Sequence, residues 1–236
     1  MEEALIVLMD GICKSIDASN SWWIGALRMD ASADHDPMRG WRPRAYRYLH
    51  PSPAHEAAYR AQVAKIYRSE ENYANHLTVQ NVGKFRSYRM RQVLPAKWFK
   101  GPYYREFYAS RGIQDACFII FPVHEDYESY FAFHRTGSKN NFTDLDEEVA
   151  AYALRGIKWF HRQLILGNGV FLAEGPLSPV HRRIVQLLLT GRSEKEISTE
   201  IGKSPHTIHK YITEIFRKFG VNSRAALAAL WLGQKS

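Results

Sequence analysis

Apolar positions along the chain change their period several times, and each change marks an element. Leu5, Leu8, Met9, Ile12 and Ile16 recur three or four apart, which predicts a helix over residues 2–17. Residues 21–29, SWWIGALRM, read as a strand, and 30–53, rich in Asp, Pro, Arg and Gly, as loop. Ser52-Pro53 has the form of a helix start, and Tyr59, Val63, Ile66 and Tyr67 give the next helix its face. Residues 72–94 read as strand with breaks, and a short helix is expected near 102–111. CFIIFPV at 117–123 and ESYFAFHR at 128–135, separated by 124–127, form a β-hairpin signal. A long helix is then expected over 142–166. Thr143 would cap it, Asp144, Asp146, Glu147 and Glu148 suit the positive end of its dipole, and Lys158, His161 and Arg162 sit toward the other end.

Residues 167–176, with three Gly and a Pro, read as a linker, so that 1–166 forms one domain and 177–236 another. Beyond the linker the pattern is wholly helical. Ser178-Pro179 opens a helix that ends on Gly191, and Ser193 with Glu196 makes a capping box for a second one that ends on Gly202. Ser204-Pro205 opens a third, which runs to Gly220. Two short helices joined by a three-residue turn containing Gly are the geometry of a helix-turn-helix. In the third helix Ile208, Tyr211, Ile212, Ile215, Phe216 and Phe219 make one buried stripe, while His209, Lys210, Thr213, Glu214 and Arg217 occupy the opposite face. Donors and cations there suit a major groove lined with base edges and phosphates.

Charge sharpens that division. The formal net charge is +8; residues 175–236 hold ten Lys or Arg against four Asp or Glu, a net of +6, in about a quarter of the chain. A basic module on a nearly neutral one points to a polyanionic partner. Two cysteines, Cys13 and Cys117, without paired spacing argue against a disulfide framework and for a reduced, cytoplasmic location. Apolar runs stay well short of the ~20 residues a membrane helix needs, and Glu2 and Glu3 stand where a secretory leader would be basic. No membrane association is expected.

Residues 177–232 resemble the LuxR/GerE-type DNA-binding domain. The resemblance is carried by Leu177, Gly191, Lys195-Glu196-Ile197, Ser204, Thr207-Ile208, the run from Ile215 to Val221, and Ser223-Arg224. It implies a four-helix domain that dimerises and sets its third helix in the major groove of double-stranded DNA. By motif position His209, Lys210 and Thr213 would read bases, and Lys203, Ser204, Thr207, Arg217, Lys218 and Arg224 would hold phosphates. Ala226, Leu227, Leu230 and Trp231 form an apolar stripe on the last helix, read either as core or as a dimer contact; the family favours the contact. Three departures bear on the operator: Arg182 and Arg183 where acidic residues are usual, His209 in place of Lys, and Tyr211 in place of His.

The order of elements in the first domain suggests an α+β sensor, an antiparallel sheet flanked by helices, like PAS and GAF domains or the autoinducer half of LuxR-type regulators. A phosphate-receiver domain is excluded, because no Asp lies between Asp36 and Asp115 to accept the phosphoryl group. The Trp, Tyr and Asp signature of acyl-homoserine lactone sites is not recovered in order. The wealth of Trp and Tyr admits a pocket for another small molecule, with Trp22, Trp41, Tyr46 and Trp98 as candidates, although such rings also fill cores. Residues 84–111 hold eight Lys or Arg and one acid, Glu106, interleaved with aromatics. This reads as a solvated loop surface or as a grip for an anion, DNA or RNA polymerase. None of the close His sets has zinc-site spacing, and no nucleophile elbow or phosphate loop occurs. No cofactor and no catalysis are expected. The sequence reading is therefore a dimeric, ligand- or partner-controlled transcription regulator. Its rivals are a ligand-independent regulator, a sigma-factor-like polymerase component and an enzyme with a DNA-binding tail.

Overall fold

A computed structural model describes residues 1–29, 36–68, 73–137, 140–168 and 178–232. The chain divides into two compact units, Met1–Arg162 and Gln163–Ser236. The linker expected at 167–176 lies outside the described residues from 169 onward.

The first unit is an antiparallel five-stranded sheet with helices on both faces. Its strands are β1 (Asn20–Arg28), β2 (Trp41–Tyr48), β3 (Arg86–Arg89), β4 (Ile113–His124) and β5 (Tyr127–Thr136), in the order β2-β1-β5-β4-β3. Its helices are α1 (Glu2–Ser15), α2 (Pro53–Tyr67), α3 (Tyr73–Val79), α4 (Met90–Val93), α5 (Pro102–Phe107) and α6 (Asp144–Arg155). A seventh, α7 (Lys158–Gly167), begins in this unit. The β4–β5 hairpin turns on Glu125 and Asp126, tighter than the four-residue loop expected, because both strands extend past their apolar runs.

Three other expectations are corrected. The loop expected at 30–53 contains β2. Its alternation is hidden by WRPRAYRY, yet Trp41, Ala45 and Tyr48 are buried. Proline is tolerated because β2 is an outer strand, and the register shifts beside Pro43, where Gly25 pairs with Ala45 and Ala26 with Pro43. Part of the broken strand expected at 72–94 is helix α3, and only Arg86–Arg89 forms a strand. The single helix expected at 142–166 is two, parted at Gly156 and Ile157. Thr143 does cap α6, with Asp146 completing a capping box.

Side-chain alternation sorts the two faces. Ser129, Phe131, Phe133 and Arg135 of β5 share a face with Trp23 of β1, toward α1, α6 and α7. Glu128, Tyr130, Ala132 and His134 lie on the other face with Trp22, Ile24 and Ala26, toward α2 and α3. The strand is buried throughout save its last residue, so each polar group on it needs a partner. Ser129 Oγ accepts from Trp23 Nε1 at 2.8 Å and lies 2.9 Å from His161 Nδ1. His161 Nε2 lies 2.9 Å from the Leu154 carbonyl, one of those α6 leaves open at its end. That closes the α6–α7 break over the sheet, with the His161 ring stacked on Phe121. Arg135 donates to the Ile16 carbonyl behind α1 and reaches Asp146 at 3.1 Å. Asp115 on β4 accepts from the amides of Arg91, Ala116 and Phe142.

Burial lowers the pKa of His161 from 6.5 to about 4, and that of His134, with help from Arg111 and His55, to about 3. The folded chain therefore holds both imidazoles neutral where the unfolded chain takes up protons. Stability from this source is complete above pH 6.5 and declines as pH falls from 6.5 to about 4 for His161 and to about 3 for His134. The urea midpoint should drop between pH 7.5 and pH 5; an unchanged midpoint would show that neither ring is held neutral by burial.

Candidate nucleic-acid interface and the cavity of the first unit

After the end of α7, four helices follow in the second unit: α8 (Pro179–Leu189), α9 (Glu194–Ile201), α10 (Pro205–Lys218) and α11 (Arg224–Leu232). Their core is Ile184, Val185, Leu188, Ile197, Ile208, Ile212, Ile215, Phe219 and Leu227, with Tyr211 and Phe216 packed against it. The three caps read in the sequence are formed: Ser178 accepts from His181 N, Ser193 from Glu196 N, and Ser204 from Thr207 N. The Glu196 carboxylate accepts from the Ser193 amide and hydroxyl and from Arg192, which lowers its pKa to about 2.

The turn between α9 and α10 is locked from both sides. Gly202 adopts φ +68°, a conformation that costs any residue with a Cβ. Ser198 supplies the second lock: its carbonyl accepts from the amides of Gly202 and Lys203, and its Oγ donates to the Lys203 carbonyl at 2.6 Å. Periodicity did not reveal Ser198, a small polar residue at a buried position. Between helices, the Arg183 guanidinium pairs with Glu200. His181 Nε2 stands 3.3 Å from Glu214, although burial keeps that imidazole below its ordinary pKa.

With α10 held in this way, His209, Lys210, Thr213 and Arg217 are exposed on the side opposite its buried isoleucines. His209 Nδ1 lies 3.3 Å from Glu194, and Thr213 Oγ1 donates back to the His209 carbonyl. Lys203 and Ser204 are exposed at the start of the helix, where Ser204 and Thr207 bond to each other, and Lys218 is half-buried at its end. Two expected roles change. Arg224 directs its Nε and Nη2 at the Leu188 carbonyl, closing the end of α8, so part of its guanidinium serves the fold. Leu227 is 1% exposed in the core of its own unit and is unavailable as a dimer contact; Ala226 is half-buried. The side chains of Leu230 and Trp231 lie outside the described residues.

In the first unit the sheet face away from α6 borders a cavity of about 940 Å³, counted out to its open mouth. Trp22, Ile24, Phe118 and Tyr130 form its floor, while Tyr59, Gln62 and Ile66 of α2 and Leu77 and Thr78 of α3 stand over it. Of the four pocket candidates, Trp22 and Trp41 line this cavity. Tyr46 instead stacks on Tyr59, with centroids 3.8 Å apart, and Trp98 packs among Phe99, Tyr103, Tyr104 and Tyr108 behind the wall. The tyrosines of α2, α5 and the 107–108 segment were the missing part of the reading, since nothing local distinguishes a cavity tyrosine from a core one.

Of the basic residues in 84–111, Lys84, Arg91, Lys97, Lys100 and Arg105 are exposed, as a solvated surface requires, whereas Arg86, Arg89 and Arg111 are half-buried. Arg86 donates to both carboxylate oxygens of Glu128 and to the Thr78 carbonyl; Arg89 joins Asp144 and Glu147; Arg91 lies 4.0 Å over the Phe99 ring and donates to the Gln114 carbonyl. At the β4–β5 turn His124, Glu125 and Asp126 bring donor atoms within 4.8 Å of one another, and Asp126 is already paired with Arg28. No helix among the described residues is long and apolar enough to cross a membrane.

Two short helices at a locked turn, the second displaying an exposed polar face, define a helix-turn-helix domain. Residues 175–231 match the family model described as "GerE: Bacterial regulatory proteins, luxR family", and the second unit carries a helix-turn-helix of that family. Over 57 residues the chain is 39% identical to a "Probable HTH-type transcriptional regulator GfsR" of Streptomyces halstedii. The match covers 24% of this chain and 24% of the relative, so the chain spans about a quarter of that protein's length. Among solved structures, "SdiA in complex with octanoyl-rac-glycerol" aligns over 99% of this chain and 88% of its own, at 12% identity and a TM-score of 0.45. Escherichia coli SdiA aligns over 96% and 90%, at 13% identity and 0.41.

Replacing Ser193 with Ala removes the hydroxyl from its capping box and should cost about 1 kcal/mol. Urea denaturation of the full chain followed by far-ultraviolet dichroism would register it; a loss below about 0.3 kcal/mol would show the box to be dispensable.

Proposed function

We propose that the protein is a dimeric, sequence-specific transcription regulator that reads DNA with α10 and is controlled by a small molecule held in its first unit. The observation that carries the DNA reading is the two-sidedness of α10. Its isoleucines are sunk in the core, and its His209, Lys210, Thr213 and Arg217 are all exposed on one stripe beside a locked turn. His209, Lys210 and Thr213 would meet base edges. Lys203, Ser204, Thr207, Arg217 and Lys218 would meet phosphates, which carry no base information but fix the helix in its groove. RNA polymerase is a further partner consistent with such a regulator.

Selection of bound fragments from random duplex DNA by the full chain, at near-physiological salt, tests this directly. A two-fold symmetric motif is expected, and retention without any motif would refute sequence-specific reading. With the selected duplex in hand, Lys210→Ala should cost roughly 1–3 kcal/mol and relax preference at one base position. Lys218→Ala should weaken all sequences alike and reduce the salt dependence by about one counterion. Equal behaviour of the two variants would mean that α10 is turned differently in the groove.

For dimerisation, the exposed face of α6 and α7 offers a surface for a second copy of the chain. Leu145, Val149 and Tyr152 fall on one line of α6, Trp159 continues it on α7, and Tyr152 and Trp159 are 88% and 64% exposed. Apolar rings at that exposure mark contact surfaces. The line is acidic toward its start at Glu148 and basic toward its end at Arg155 and Lys158. An antiparallel crossing of two copies at Tyr152 sets Leu145 of each against Trp159 of the other, and Glu148 toward Arg155, as a self-complementary two-fold contact requires. Tyr152→Glu combined with Trp159→Glu should shift the sedimentation coefficient to that of a monomer; an unshifted value would remove this face from the dimer.

A further inference from the structure

The wall of the first unit's cavity restricts what can fill it. Of its described lining residues only Arg42 carries a charge, and that charge is matched. Arg42 Nη1 stands 2.7 Å from Asp36, a carboxylate 9% exposed. Burial works against ionisation of Asp36, but Arg42 and the amides of Gly40 and Met38 outweigh it and hold its pKa below the ordinary value. The tyrosine hydroxyls add no charge: burial raises Tyr88, Tyr108 and Tyr130 above the usual value. An ionised guest would lose its hydration and meet no free opposite charge.

Two further features bear on shape and orientation. Rings of Trp22, Trp41, Tyr59, Tyr88, Tyr108 and Phe118 come from six separate segments to the same wall, a setting in which a flat ring gains stacking contact at little cost in order. The three indoles of this part of the sheet also differ. Trp22 Nε1 donates to His134 Nε2 at 3.1 Å and Trp23 Nε1 to Ser129 Oγ, whereas Trp41 Nε1, in a residue 1% exposed, has no hydrogen-bond partner among the described residues. A buried N–H left unmet is unfavourable, and an acceptor brought by a guest would satisfy it.

We infer that the cavity takes an uncharged, flat ring compound bearing one hydrogen-bond acceptor, a carbonyl or ether oxygen, that meets the indole N–H of Trp41. This rests on the reading that the first unit holds a small molecule and adds the chemical class of that molecule.

Isothermal calorimetry of the full chain with four probes tests it: 2-acetylnaphthalene, naphthalene, 2-naphthoate and 2-octanone. 2-Acetylnaphthalene is expected to bind at least tenfold tighter than each of the others. Naphthalene lacks the acceptor, 2-naphthoate carries a charge at pH 7.5, and 2-octanone lacks the ring. In Trp41→Phe its advantage over naphthalene should vanish while naphthalene itself stays within twofold. Leu77→Trp, which fills the cavity from α3, should abolish binding of both. Equal or tighter binding of 2-naphthoate or 2-octanone, no binding of 2-acetylnaphthalene, or an equal loss of both aromatic probes in Trp41→Phe would overturn the inference. Affinity for the selected duplex, measured alongside, separates this from the parent reading. A change in DNA affinity caused by 2-naphthoate or 2-octanone would sink the ring-and-acceptor inference and leave ligand control standing. Tight 2-acetylnaphthalene binding, with DNA affinity indifferent both to it and to Leu77→Trp, would sink ligand control and leave the inference standing.

Discussion

Burial of the strand β5 on both faces, with Glu128, Ser129, His134 and Arg135 along it, is the constraint from which the first unit follows. A polar group withdrawn from water without a partner costs more than its hydrogen bond returns, so each of these side chains dictates a neighbour. Glu128 requires Arg86 and thereby fixes β3 beyond β4. Ser129 requires Trp23 and His161, which seats α7 on the sheet. His134 takes the indole N–H of Trp22 and sets that ring in the cavity floor. Arg135 ties the end of α1 to the residues that lead into α6. The cavity on one face and the exposed α6–α7 line on the other thus hang from one strand.

The second unit is organised differently. Its core is almost purely aliphatic, and its polar groups work at helix ends: Ser178, Ser193 and Ser204 at the starts, Ser198 at the turn and Arg224 at the end of α8. A domain this small has little buried area to spare, so end closure carries much of its definition. The result is a helix whose outward residues make only local or loose bonds: His209 to Glu194, Glu214 to His181, and Thr213 to the His209 carbonyl.

How far the sequence could be read follows from the same contrast. Caps are local, so the helical boundaries around Ser193 and Ser204 were visible residue by residue. The hairpin was visible because its two strands adjoin in sequence. What escaped depends on distant partners. β2 is a strand because β1 accepts it, not because WRPRAYRY alternates cleanly. Arg86 and Arg89 look like surface charges until Glu128 and Glu147, about forty to sixty residues away, are placed against them. The α6–α7 break at Gly156 and Ile157 was concealed by a long amphipathic run. Leu227 and Arg224 were assigned outward roles by position, and the packing of α8 claims both. Trp22 and Trp41 were found in the cavity wall, but Tyr46 and Trp98 show that aromatic content alone does not say which side of a wall a ring occupies.

The placement of Pro43 on β2 has a consequence for the protein's behaviour in a crowded solution. An outer strand normally presents a row of amides and carbonyls on which another chain can grow into fibrillar aggregates. Here Pro43 offers no amide, and the register shift beside it interrupts the row. Growth of another chain on this edge of the sheet is thereby hindered, which leaves self-association to other surfaces.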